Sequence, residues 1–168
     1  MLHSKLPNVG TTIFTTMSAL AVKHNAINLA QGFPNFPIDE HLQNCLIQAA
    51  HANAHQYTPM VGLLTLREQI AALVEKQYNR SLGPDQVLIT AGATQAIFTT
   101  IQALVHAGEE VVILDPSYDC YEAPISLSGA RPVRIPLGPD FKPDWKRISA
   151  AITPQTRMLI TNNPHNPS

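Results

Sequence analysis

The sequence predicts an α/β fold in which a mainly parallel sheet is covered by helices, and three observations predict it. From Gln86 onward, short aliphatic runs alternate with segments of helical periodicity. Several of those runs end in turns rich in small residues, proline or asparagine, the pattern of strands that deliver ligand-binding groups to one edge of a sheet. The 168 residues are 45% hydrophobic and 14% charged, which is enough apolar material for one domain-sized core.

Taken in order, residues 1 to 10 read as an extended arm. A helix follows, with Ile13, Phe14, Met17, Leu20 and Ala21 on one face. Ile27-Asn28-Leu29-Ala30 reads as a short strand. The segment Gln31 to Pro37 is barred from helix by Pro34 and Pro37, and Asp39 is placed to cap a helix with Leu42, Cys45, Leu46 and Ala49 on its inner face. A loop through Gln56-Tyr57-Thr58-Pro59 leads to a long helix carrying Leu63, Leu66, Ile70 and Leu73 at spacings of three and four. Arg67, within that helix, reads as one half of a structural ion pair.

The alternation then begins. Val87-Leu88-Ile89 reads as a strand, followed by a helix to Ala107, a strand at Val111 to Leu114, a helix from about Tyr121 to Leu127, and a strand at Pro132 to Ile135. The run Arg157 to Thr161 reads as a short buried strand. The change of character places a boundary between residues 1–82, an arm with helices, and residues 83–168, the start of a sheet domain.

Charge and cysteine usage exclude several classes. The net charge is -1 and no Lys/Arg cluster occurs, which argues against a nucleic-acid or anionic-membrane surface and for small neutral or zwitterionic partners. Cys45 and Cys120 lie far apart with no CxxC spacing, and there is no apolar signal core or long apolar span. A reduced, cytoplasmic protein is expected. His51 and His55 share a helix face at i and i+4, but without a third ligand nearby they do not make a metal site. Cys120 has no His or Lys activator beside it in the sequence, which argues against a nucleophile.

Three turns carry chemistry. In Ile89-Thr90-Ala91-Gly92-Ala93-Thr94-Gln95, Gly92 and Ala93 let the backbone approach a ligand, the first-turn amides are free, and the Thr94 hydroxyl adds a donor, a set suited to phosphate. Such turns also serve plain packing. In Leu114-Asp115-Pro116-Ser117-Tyr118, Pro116 ends the strand and aims Tyr118 at the crevice, where its ring can stack on a flat heteroaromatic group or cover the next helix. In Asn162-Asn163-Pro164-His165-Asn166-Pro167-Ser168, each proline extends the residue before it, leaving Asn166 free to hold a ligand. Tyr118 and Asn166 are expected to face one crevice at the strand ends. The chain stops directly after this turn, which reads as the first portion of a longer enzyme.

These pieces in this order, with Ser4-Lys5-Leu6-Pro7, Gly10-Thr11-Thr12-Ile13-Phe14, Asn28 to Pro34 and Gln56-Tyr57 upstream, resemble the class I/II aminotransferases of the pyridoxal-phosphate fold-type I superfamily. The chain is similar in particular to the branch holding methionine aminotransferases and kynurenine/glutamine aminotransferases. The resemblance implies a three-layer αβα large domain with a mainly parallel sheet, and pyridoxal 5'-phosphate as cofactor. It further implies that residues 1–82 supply part of the small domain and dimer contacts, and that residues 83–168 are the first, incomplete part of the cofactor-binding domain. Gly92, Ala93 and Thr94 would bind the phosphate, Tyr118 would stack on the pyridine ring, and Asn166 would donate to the ring oxygen and help hold the substrate carboxylate. Gly32 and Phe33 would line the substrate pocket. Tyr57 would reach the phosphate of the neighbouring subunit in a homodimer. Phe33 and Phe36 favour apolar or aromatic amino acids, with a 2-oxo acid as acceptor.

Pyridoxal phosphate requires a Schiff-base lysine and an acid at the pyridine nitrogen. Lys5, Lys23, Lys76, Lys142 and Lys146 all precede the Asn-Pro turn and none stands in the family's Ser-x-x-Lys setting. Asp115 lies in the stacking segment and is not the ring-nitrogen acid. No catalytic residue is therefore assigned within this chain, and alone it should not transaminate. A cysteine-conjugate β-lyase of the same fold and a catalytically dead truncated product are the alternatives.

Overall fold

A computed structural model describes residues 3–7, 9–32, 34–52 and 54–168. They fall into two compact units, one of Gly10–Ile89 and one that joins Thr90–Ser168 to the N-terminal arm up to Val9. The chain passes from one unit to the other after residue 89, and the arm groups with the later unit.

The Gly10–Ile89 unit is helical. α1 (Ile13–Lys23) starts at Thr12, whose hydroxyl accepts from the Thr15 amide at 3.3 Å. α2 (Glu40–His51) is capped by Asp39, which accepts from His41 and Leu42 at 2.9 and 3.3 Å. α3 (Leu64–Tyr78) ends on Asn79 in the left-handed conformation, φ 51°. A 3-10 turn follows at Pro84–Gln86.

Several expectations for this unit are corrected. Ile27–Ala30 and Val87–Ile89 form no strand: among the described residues neither has a partner ladder, and Ile89 makes one backbone bond, to Val61 at 3.1 Å. Leu42 and Leu46 of α2 are exposed, as are Leu66 and Leu73 of α3, because no described element covers those faces; the buried residue of α3 is Ala71. Leu63 is the α3 N-cap residue. Among the described residues Arg67 makes no ion pair, and it donates to the Pro84 carbonyl at 2.9 Å, tying α3 to the 3-10 turn.

In the other unit, α4 (Gly92–Leu104) leads to β1 (Glu110–Asp115), α5 (Glu122–Leu127), β2 (Arg131–Pro136), α6 (Trp145–Ala151) and β3 (Thr156–Ile160). The three strands are parallel in the order β2-β1-β3. β1 is the centre, and its period-two side chains divide the core. Val111 and Ile113 pack with Ile101 and Val105 of α4 and the following turn, and with Ile125 of α5. Val112 and Leu114 pack on the other face with Ile135 and Ile148, the latter from α6. Helices thus lie on both faces of the sheet, a three-layer αβα arrangement.

Two details differ from expectation here. α6 is absent from the sequence reading; it is only seven residues long, and Asp144 caps it by accepting from Lys146 and Arg147 at 3.0 and 3.1 Å. β3 is not buried throughout: Met158 and Ile160 join the core while Leu159 is 38% exposed, as befits a strand paired on one side.

Candidate functional site

Parallel strands direct their carboxyl ends to one edge, and the loops that leave that edge carry the candidate groups. Tyr118 follows Asp115, the last residue of β1. Asn166 follows Ile160, the last residue of β3, and Ile160 stands opposite Ile113 in register. Both segments therefore leave the same edge of neighbouring strands.

The start of α4 comes to the Tyr118 loop as well. Thr94 and Cys120, 26 positions apart, meet with Oγ1 and Sγ 3.6 Å apart. Tyr118 lies between them in the chain's hydrogen-bonding chemistry: the Cys120 thiol raises the titration of the Tyr118 hydroxyl above its ordinary value, and the Thr94 hydroxyl opposes that shift. The Tyr118 ring is half-buried against the core and meets Tyr121 edge-on, centroids 5.8 Å apart at 83°. Tyr121 is buried, and that burial pushes its own hydroxyl up.

α4 opens without a side-chain cap on its leading amides. Gly92 donates to the Thr90 carbonyl at 2.9 Å, and Gln95 reaches back to the Ala91 amide at 2.5 Å, but among the described residues no acceptor meets the amides of Ala93 and Thr94. Gly92 holds φ at +82°, a backbone region that strains any side chain, and nothing lies within 4 Å of the position a Cβ would take. Gly92, Ala93 and Thr94 are all exposed. The helix dipole adds partial positive charge to this opening, so the arrangement can hold an anion of phosphate size.

The loop bearing Tyr118 is tied at both ends by one side chain. Arg134 of β2 bonds Asp115 at 2.9 Å through Nη1 and Glu122 at 2.5 Å through Nη2. A strand-end cleft of about 390 Å³ lies at the Asn-Pro turn, lined by Asn162, Asn163, His165, Phe141 and Trp145 among others. Asn166 is exposed and lines no part of that cleft; His165 instead bonds Ser168 at 2.7 Å.

The structure thus brings Thr94 and Tyr118 together through Cys120, a residue the sequence reading set aside, and it places Asn166 on the same sheet edge. Gly32 and Tyr57 belong to the Gly10–Ile89 unit, where both are exposed. Phe33 lies outside the described residues. Among the described residues, no group of His, Cys, Asp or Glu is arranged to hold a metal, and no helix is long and apolar enough to cross a membrane.

The fold is that of an α/β protein, with the open start of α4 and the Tyr118 loop at the strand ends. The chain belongs to the class I and II aminotransferase family, whose model matches residues 24–168. It is 48% identical to the methionine aminotransferase of Escherichia coli K12 over 99% of the chain and 44% of that protein. Kynurenine–oxoglutarate transaminase 1 of rat is 32% identical, covering 97% of the chain and 42% of the relative. Among solved structures, Escherichia coli YbdL, described with a methionine aminotransferase function, superposes with a TM-score of 0.94 at 48% identity, over 100% of this chain and 44% of that one. The chain spans less than half the length of these relatives.

Proposed function

We propose that this chain supplies part of the site of a pyridoxal-phosphate-dependent aminotransferase, moving an amino group from an amino acid of the methionine, glutamine or aromatic type to a 2-oxo acid. The observation that carries this reading is the meeting of Thr94, at the open start of α4, with the loop that bears Tyr118. Pyridoxal 5'-phosphate fits these residues: two free amides and a hydroxyl at a helix start suit its phosphate, and a half-buried tyrosine ring suits its flat heterocycle. When bound, the cofactor supplies the electron sink through which an amino group passes between substrates.

In this reading the Ala93 and Thr94 amides and the Thr94 hydroxyl bind the phosphate, and Gly92 permits the close backbone approach. Tyr118 orients the ring by stacking and keeps water from that face. Asn166 donates to the ring oxygen and helps hold the substrate carboxylate, with Gly32 and Phe33 lining the pocket. Tyr57, fully exposed in its own unit, serves the phosphate of a second subunit in a cytoplasmic homodimer. Residues 1–82 contribute to the small domain and dimer contacts, and residues 83–168 to the cofactor-binding domain. The donor class rests on the names of the methionine and kynurenine relatives.

The test is made on the intact protein. Equilibrium dialysis should show saturable pyridoxal-phosphate binding, and a panel of amino donors with a 2-oxo acid should favour methionine, glutamine or aromatic donors. Absence of saturable binding, or turnover confined to acidic donors, would overturn the reading.

A further inference from the structure

Cys120 contacts the candidate site, and neither the family resemblance nor the proposed reaction gives it a task. It stands in the turn between Tyr118 and α5, half-buried, with its sulfur 3.6 Å from Thr94 Oγ1. Thr94 is the first side-chain donor of α4, since Gly92 and Ala93 have none. An exposed threonine hydroxyl has three staggered settings, and a partner on one side selects among them. A thiol is a weak donor and weak acceptor, so it can hold the hydroxyl oxygen in place while competing little with a charged oxygen for the hydroxyl proton. Cys120 is also linked to the neighbouring Tyr118 hydroxyl, which it shifts upward. The sulfur thus meets the Thr94 hydroxyl from a loop whose two ends Arg134 ties down.

We propose that Cys120 is a positioning residue of the anion cradle: its thiol sets the Thr94 hydroxyl at the first turn of α4, and an anionic cofactor bound there covers the sulfur. The proposal rests on the reading of this cradle as the pyridoxal-phosphate site. It gives the thiol a role that depends on neither nucleophilic attack nor metal binding.

Two consequences follow from the geometry. Removing the thiol frees the Thr94 rotor, so binding loses the preorganised donor; a neutral hydrogen bond of about 0.5 to 1.5 kcal/mol corresponds to a two- to tenfold change in affinity, and a thiol contact belongs at the lower end. Covering the sulfur blocks alkylation, because the thiolate must reach the reagent carbon in line with the departing iodide. Cys45 is the internal control: it lies in the other unit, exposed on α2 beside His41 at 3.7 Å, with no part in the cradle.

The experiment measures iodoacetamide labelling of Cys120 and Cys45 by peptide mass spectrometry, in the intact cofactor-free protein, with and without pyridoxal phosphate at a saturation set by equilibrium dialysis. Saturating cofactor should slow Cys120 labelling about tenfold or more and change Cys45 labelling less than about twofold. In parallel, Cys120→Ala should raise the pyridoxal-phosphate Kd about threefold, and Cys120→Ser, which keeps a polar group at the same point, should return it to within about twofold of the parent. Saturable binding with undiminished Cys120 labelling, or an unchanged Kd in Cys120→Ala, would overturn the inference and leave the proposed function standing. No saturable binding by dialysis would instead remove the proposed function, and the inference with it. Should the alanine variant fail to fold, the labelling of the parent protein decides alone.

Discussion

Thr153 donates its hydroxyl to the Glu110 carboxylate at 2.9 Å, at the edge of the sheet away from the candidate site. Arg131 of β2 bonds the same carboxylate, and Thr156 stands at 3.5 Å, so one acid at the head of β1 links all three strands. Glu110 is 9% exposed, and the Thr153 bond, followed by Arg131, holds its carboxyl below the usual range. A carboxyl lowered on folding adds stability above its unfolded pKa and loses it as pH falls through the folded value. Glu110→Gln should therefore destabilise the protein at neutral pH, with the gap to the parent closing in acid. Denaturant unfolding at a series of pH values reads this. A gap that stayed constant from about pH 7 to about pH 3 would refute it.

Thr94→Val removes the hydroxyl at the α4 start while keeping its shape and branching. A hydrogen bond to a charged group contributes about 1.5 to 3 kcal/mol, so the pyridoxal-phosphate Kd should rise roughly ten- to hundredfold. Inorganic phosphate, which competes for the same amides, should weaken in the same direction. Unchanged affinity for both would return Thr94 to plain packing.

Gly92→Ala isolates the backbone. Its φ of +82° strains an L residue, while the Cβ itself meets nothing within 4 Å. The expected loss is about 1 to 2 kcal/mol of stability, from conformation and not from a clash. Because α4 must shift to relieve that strain, cofactor affinity should fall in the same variant. An alanine variant as stable as the parent would show that the turn tolerates a side chain.

Arg134→Met cuts the tie between Asp115 and Glu122 and keeps the aliphatic stem. All three side chains are substantially exposed, so the global stability change should be under about 1 kcal/mol. The local effect should be larger: amide hydrogen exchange across Ser117 to Tyr121 should quicken, with exchange in β1 unchanged. Equal quickening in both segments would mean that Arg134 supports the sheet and not the loop.

Elements built on contacts within the chain were legible in the sequence. The aliphatic runs of β1, β2 and β3 announce a core because the residues they face are present, and Asp39 announced α2 by its own hydrogen bonds. Ile27–Ala30 and Val87–Ile89 have strand composition, but a strand exists only by virtue of a neighbour, which no local pattern supplies. α6 was missed because seven residues hold too few turns to display a period; Asp144 before Trp145 was the available signal. At the site, the Thr94 turn and the Tyr118 loop were legible through turn chemistry. Cys120 was not, since its meaning arises from Thr94, distant in sequence, and no sequence neighbour marks it.

The strand order β2-β1-β3 leaves the most buried strand in the middle and the two outer ones with a row of amides and carbonyls each that no described strand engages. Such a margin is adhesive: it accepts whatever extended peptide arrives in register, kin or stranger. β3 is the more susceptible, because its alternation of Met158 and Ile160 with the half-open Leu159 offers an apolar ribbon as well as hydrogen bonds. A bare margin at Thr156–Ile160 is therefore expected to favour association of copies, and Leu159→Lys, on the exposed face, should reduce it.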